Sequence, residues 1–117
     1  MLYELRTYDI HPERWDEYLA WVEKKAAPIL FDQFKFRLVG VWRAIAKAGE
    51  VEPTTNLYEI FAWESEEEMR DRWTAFFASA EWNAAWAEIT DPISGKSRYH
   101  LRTFSTLLRA LPISPLQ

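Results

Sequence analysis

The chain has 117 residues and a formal net charge of −4, with 49% apolar and 16% aromatic residues. That length fits one hydrophobic core and leaves no room for a second, the apolar content excludes a disordered chain, and the shortage of clustered Lys and Arg excludes a nucleic-acid partner. Without Cys there is no disulfide, thiol nucleophile or thiolate metal site; no apolar leader or spanning run is present, so a cytoplasmic protein with no membrane partner is expected.

A first strand is predicted over residues 2–9, where Tyr3, Leu5 and Thr7 alternate with Glu4, Arg6 and Tyr8. Pro12, following His11, opens a helix whose apolar stripe is Trp15, Tyr18, Leu19, Val22 and Ala26. Trp21 falls opposite that stripe and is expected at the surface or against a partner, and Pro28 is expected to end or kink the helix.

Residues 36–47 and 56–64 read as two strands of a hairpin, joined through a turn-like segment over 48–53. Ser65 with Glu68 matches a capping box and starts a second helix with Met69, Trp73, Phe76, Phe77 and Ala80 on its buried side. Ser79 offers a second cap, after which Trp82, Ala85, Trp86 and Ile89 restart the period, so the helix is expected to break in two. The acidic run Glu64, Glu66, Glu67 and Glu68 suits a helix N-terminus and is assigned no further role. A last strand spans 98–109, and residues 110–117, with Pro112 and Pro115, form an irregular tail to a domain covering 1–109.

The order β-α-β-β-α-β is that of a ferredoxin-like α+β domain, a four-stranded antiparallel sheet with its helices on one face. Neither sheet face is cleanly polar, since one carries Tyr3, Leu5, Tyr58 and Ile60 and the other Tyr8, Phe61 and Trp63. A second copy of the chain is the expected cover for the face without helices, giving a homodimer.

The segments Tyr3-Glu4-Leu5-Arg6-Thr7-Tyr8, Leu38-Val39-Gly40-Val41-Trp42, Leu57-Tyr58-Glu59-Ile60-Phe61-Ala62-Trp63 and Glu81-Trp82 together resemble the NIPSNAP family over about residues 2–108. The resemblance implies a dimeric α+β barrel. Relatives in that wider group include cofactor-free monooxygenases, polyketide cyclases, isomerases and haem enzymes, so it implies no single activity. His11 stands where family members more often carry Lys or another polar residue.

With the first strand central, Glu4, Arg6, Tyr8, Glu59, His100 and Arg102 share one face by parity, at cross-strand spacings of about 5 Å. In the catalytic reading His100 is general acid or base, Arg6 or Arg102 holds an anionic oxygen, and Glu4 or Glu59 orients the imidazole. In the structural reading the same charges are a buried ion-pair network that fixes strand register or the dimer. The ligand contacts expected are Tyr8, His11, Arg102, Trp42, Trp63, Trp73 and Phe77, within an aromatic set that also holds Trp15, Trp21, Phe76, Trp82 and Trp86. His11, beside Pro12, equally reads as a surface turn residue.

Two His without a spaced carboxylate motif give no metal site, and neither haem nor any other cofactor is expected. Two function classes stand side by side. One is a dimer that binds a small organic molecule, aromatic or polyketide-like, and transforms it without cofactor as a cyclase, isomerase or monooxygenase. The other is a non-catalytic binding or scaffold dimer.

Overall fold

Residues 1–46, 48–49 and 53–117 are described by a computed structural model in which β1 (Leu2–Ile10) is a central strand. It pairs antiparallel with β3 (Leu57–Trp63) on one side and with β4 (His100–Arg109) on the other, while β2 (Arg37–Arg43) takes the outer edge beside β3. The sheet order β2-β3-β1-β4 is thus the ferredoxin-like one. Lys47, Glu50, Val51 and Glu52 of the expected 48–53 turn region and its approach lie outside the described residues. Ala48 and Gly49 form a turn, with Gly49 at φ 81°, where a side chain would be strained.

Ile10, Leu57, Phe61 and Trp63 project from one sheet face into a core completed by Phe36, Phe76, Ala85, Ile89 and Tyr99. Phe36 is its hub: the rings of Phe61, Trp63 and Trp73 meet it edge to face at 4.8–5.9 Å, the geometry that aromatic quadrupoles favour.

Helix α1 (Trp15–Trp21) follows a single 3₁₀ turn at Pro12–Arg14 and does not stop at Pro28. The chain continues through wide π-type turns over Val22–Ala26 and Pro28–Gln33, and the Phe34 N–H closes a five-residue bond to the Ile29 carbonyl at 3.0 Å. This corrects two expectations. Within α1 the buried residues are Trp15, Tyr18 and Trp21, three apart, so Trp21 is buried and Leu19 is exposed, and the wide turns then set the next buried positions at Ala26 and Ile29. Pro28 heads its own wide turn, the position where its missing N–H costs least.

The second helical segment breaks where its two caps predict. Ser65 Oγ accepts from the Glu68 N–H at 3.0 Å, which starts α2 (Glu66–Ala78). The Glu68 carboxylate reaches one residue further back than a standard capping box, to the Glu64 N–H at 2.6 Å. Ser79 then ends α2 in extended geometry and accepts from the Trp82 N–H at 3.2 Å, opening α3 (Ala80–Glu88).

All helices lie on one face of the sheet. The other carries the rows Trp42-Tyr58-Thr7-Phe104, Gly40-Ile60-Leu5-Thr106 and Ala62-Tyr3-Leu108. The C-terminal tail crosses one end of it, where the Tyr3 hydroxyl donates to the Gln117 carbonyl at 2.8 Å. No helix among the described residues is long and apolar enough to cross a membrane.

Candidate functional site

Between the sheet and the helices lies a cavity of about 490 Å³, inside the size range of small-molecule sites. Its floor is the middle of β1 and β3, where Arg6 stands directly opposite Glu59 and Tyr8 is one pleat along. Its walls are aromatic: Tyr18 and Trp21 from α1, Trp73 and Phe77 from α2, Trp82 and Trp86 from α3. The cap at Ser79 matters here. By turning the chain between α2 and α3 it brings Trp82 within 4.6 Å of Phe76, so two short helices close over the sheet where one straight helix would run past it.

The polar floor is one connected network. The Tyr8 hydroxyl donates to Glu59 Oε1 at 2.5 Å and accepts from Arg6 Nε at 2.9 Å. On its other side Arg6 Nη1 donates to Glu4 Oε2 at 3.3 Å, and the guanidinium carbon lies 4.5 Å from the centre of the Trp73 ring. Glu4 is wholly enclosed behind this layer and also accepts from Trp63 Nε1, Trp73 Nε1 and the Ser105 hydroxyl, at 3.2, 2.7 and 2.6 Å. Burial pushes the Glu59 carboxyl up, against the opposing pull of the Tyr8 hydrogen bond and Arg6, with Glu4 adding to the rise. Burial, then Glu59, holds the Tyr8 phenol well above its ordinary range. Burial pulls Arg6 down, but Tyr8, Glu4 and Glu59 together outweigh it and leave the guanidinium shifted upward.

His100 closes one end of the cavity. It lies among the rings of Tyr18, Trp86, Tyr8 and Trp21, with centroids 5.2, 5.4, 5.7 and 6.4 Å away. Burial, helped by the charge of Arg6, lowers its pKa to about 4, so it is neutral at pH 7. Its Nδ1 is 2.9 Å from Ser97 Oγ.

Of the residues expected at a catalytic centre, Arg6, Glu59 and His100 line the cavity; Glu4 meets it through Arg6 and Trp73, which line the cavity and donate to the Glu4 carboxylate. Among the expected ligand contacts, Tyr8, Trp73 and Phe77 line it. Four others do not. Arg102 pairs with Asp9 and faces the opposite side, because Leu101 bulges out of the β1–β4 ladder and reverses the parity between His100 and the rest of β4. Thr103 and Ser105 therefore occupy the inward places that even numbering gives to Arg102 and Phe104. Trp42 sits half-exposed on the helix-free face beside Gly40, Trp63 is sealed in the core, and the His11 imidazole lies outside the pocket, 3.3 Å from Glu13. Ser97 is a site residue that the sequence reading lacks, although a Ser two and three residues before a strand's first amides is a recognisable local turn. Among the described residues no group of three or more His, Asp or Glu is placed to hold a metal ion.

The sequence profile of the NIPSNAP family matches residues 3–114. The chain belongs to the NIPSNAP family. The match runs past Leu108 into the tail, which extends the resemblance read from the sequence. Among solved structures, the chain is similar to an uncharacterised NIPSNAP domain protein from Burkholderia xenovorans, at 21% identity and TM-score 0.78 over 98% of this chain and 99% of that one. It is also similar to protein Atu4242 from Agrobacterium tumefaciens, at 23% identity and TM-score 0.77 over the full length of both. A more distant likeness, at 11% identity and TM-score 0.57 over 95% of each chain, is to a variant of MhuD with two manganese protoporphyrin IX molecules bound per active site. These likenesses establish the shared fold. No curated protein sequence matches the chain.

Proposed function

We propose that this NIPSNAP-family chain is a homodimeric small-molecule-binding protein whose pocket takes a flat organic molecule, aromatic or polyketide-like. The observation that carries this reading is the open, aromatic-walled cavity converging on Arg6, Tyr8, Glu59 and His100. A purely structural ion-pair network has no need of such a space above it. The porphyrin held by the distant MhuD neighbour is consistent with a flat conjugated guest in this architecture.

Catalysis without cofactor is the finer proposal. A carboxyl group with a raised pKa, held by a phenol, is suited to take a proton from an acidic carbon and return it elsewhere on the same molecule, as an isomerase or cyclase requires. The competing scaffold reading draws on Arg6, which is already flanked by Glu4 and Glu59 and has little charge left to offer a ligand.

Homodimerisation is proposed on the helix-free face. Leu5, Ile60, Phe104 and Leu108 are partly or half-exposed there, and an uncharged apolar patch can meet its own copy across a two-fold axis.

Titration with naphthalene, followed through Trp emission, tests the binding. Saturable quenching is expected, and Phe77→Arg, which puts a charge in the wall, should weaken it by about tenfold or more. A linear, unsaturable response in the folded wild-type protein would sink the reading.

A further inference from the structure

The Ser97 hydroxyl decides which nitrogen of His100 carries the proton. Ser97 Oγ accepts from the backbone N–H groups of both Tyr99 and His100, at 3.1 Å each. A hydroxyl has two lone pairs and one proton. With both lone pairs engaged, the contact to His100 Nδ1 at 2.9 Å must be one in which Ser97 donates. Nδ1 is then the acceptor, and in a neutral ring the proton resides on Nε2. This tautomer follows from the hydrogen-bond network.

Nε2 meets no hydrogen-bond partner among the described residues, and none of their fully enclosed side-chain nitrogens or oxygens lacks a partner. Nε2 is therefore open, and the opening available to His100 is the cavity. What the ring presents there is a fixed, uncharged N–H donor. Charge on the ligand finds no matching welcome, because Arg6 is shared between Glu4 and Glu59, and Arg102, the other cation expected to hold an anion, faces away.

We propose that Ser97 is a positioning residue that locks His100 as the Nε2–H tautomer, and that the pocket consequently selects uncharged carbonyl compounds over carboxylates and phosphates. The ligand oxygen accepts from Nε2–H while its conjugated body lies between Trp86 and the rings opposite. The selection rests on the binding reading above; the tautomer does not.

Nitrogen NMR of the uniformly ¹⁵N-labelled protein at pH 7 tests the lock without any ligand. His100 should show a protonated Nε2 and a bare Nδ1, Ser97→Ala should give a mixture of tautomers, Ser97→Thr should restore the single form, and His11 should be unchanged throughout. A proton on Nδ1 in the wild type overturns the lock, as does a Ser97→Ala spectrum identical to it; if Ser97→Ala fails to fold, the wild-type and Ser97→Thr spectra decide. For the selection, 2-acetylnaphthalene should bind about tenfold more tightly than 2-naphthoate, and His100→Phe should cost the ketone about three- to tenfold more than it costs naphthalene. Equal or tighter binding of the carboxylate overturns the ligand class. If naphthalene itself does not bind, the pocket reading falls and takes the selection with it, while the spectra still judge the lock.

Discussion

The two faces of one sheet have been put to opposite uses. On the inward face every charge is answered: Glu4, Arg6, Tyr8 and Glu59 form a continuous network under aromatic walls. On the outward face the middle rows are short of charge, and Trp42 and Phe104 stand half in solvent. Alternation along a strand makes the division possible, since each residue of β1 serves one face only. The difference teaches that apolar surface and polar chemistry were separated by parity, so a substitution on one face should disturb one property and leave the other intact.

Glu4→Ala should break the inward face most severely. It leaves Arg6, two indole N–H groups and the Ser105 hydroxyl without their acceptor, and removing one partner of a buried ion pair costs about 3–5 kcal/mol. Thermal melting should fall by about 10 °C or more; a shift of a degree or two would mean that the network is replaceable.

Acid should act next. The His100 pKa is lowered to about 4 from an ordinary value of 6.5, so its contribution is full above pH 6.5 and is lost as pH falls toward 4. The loss is on the order of 3 kcal/mol. Glu59 has the opposite sign: with its pKa raised, its contribution is present below the ordinary carboxyl range and is lost as pH rises through the folded value. Urea unfolding of wild type and His100→Phe between pH 4 and 7 separates the two, since the variant should lose the His100 slope and keep the Glu59 one. Parallel curves would refute the buried, neutral imidazole.

On the outward face, Ile60→Glu should leave melting of the separate chain nearly unchanged and weaken self-association by about 2 kcal/mol, roughly thirtyfold. Analytical ultracentrifugation measures it, and an unaltered dimer would place the interface elsewhere. The smallest effect is expected at the α2–α3 break, where Ser79→Ala removes the cap to Trp82 at about 1 kcal/mol. Because that cap orients Trp82, the variant should also weaken naphthalene binding severalfold without touching the dimer.

Much of this is legible in the sequence. Alternation locates β1 and β3, and through them the facing of Arg6 and Glu59; the two serines with their following amides locate both helix starts. Much of the illegible remainder lies at irregular turns. Strict alternation fails at Leu101, so even numbering puts Arg102 on the wrong face and passes over Thr103 and Ser105. A strict 3.6-residue period fails after Trp21, where the wide turns set the buried positions at Ala26 and Ile29; Trp21, a wall of the pocket, lies three residues from Tyr18 inside regular α1 and is missed because a stripe through Leu19 passes it by. Both departures lie beside the cavity, and neither leaves a compositional mark.

The wide turns after α1 carry a genetic consequence. A helix with five-residue hydrogen bonds holds more chain per turn than an α-helix, so it stands one deletion away from regularity. Loss of a single codon at solvent-exposed Lys24 would let the first wide turn tighten into an ordinary α turn, which absorbs the missing residue and leaves the residues downstream of it facing the sheet as before. Ala26 and Leu30, which line the cavity, would keep their places in its wall. A reading frame shortened by three nucleotides at this surface position would thus be taken up by the slack of the turn, where the same loss within regular α1 would rotate the residues on one side of it by about 100° against those on the other.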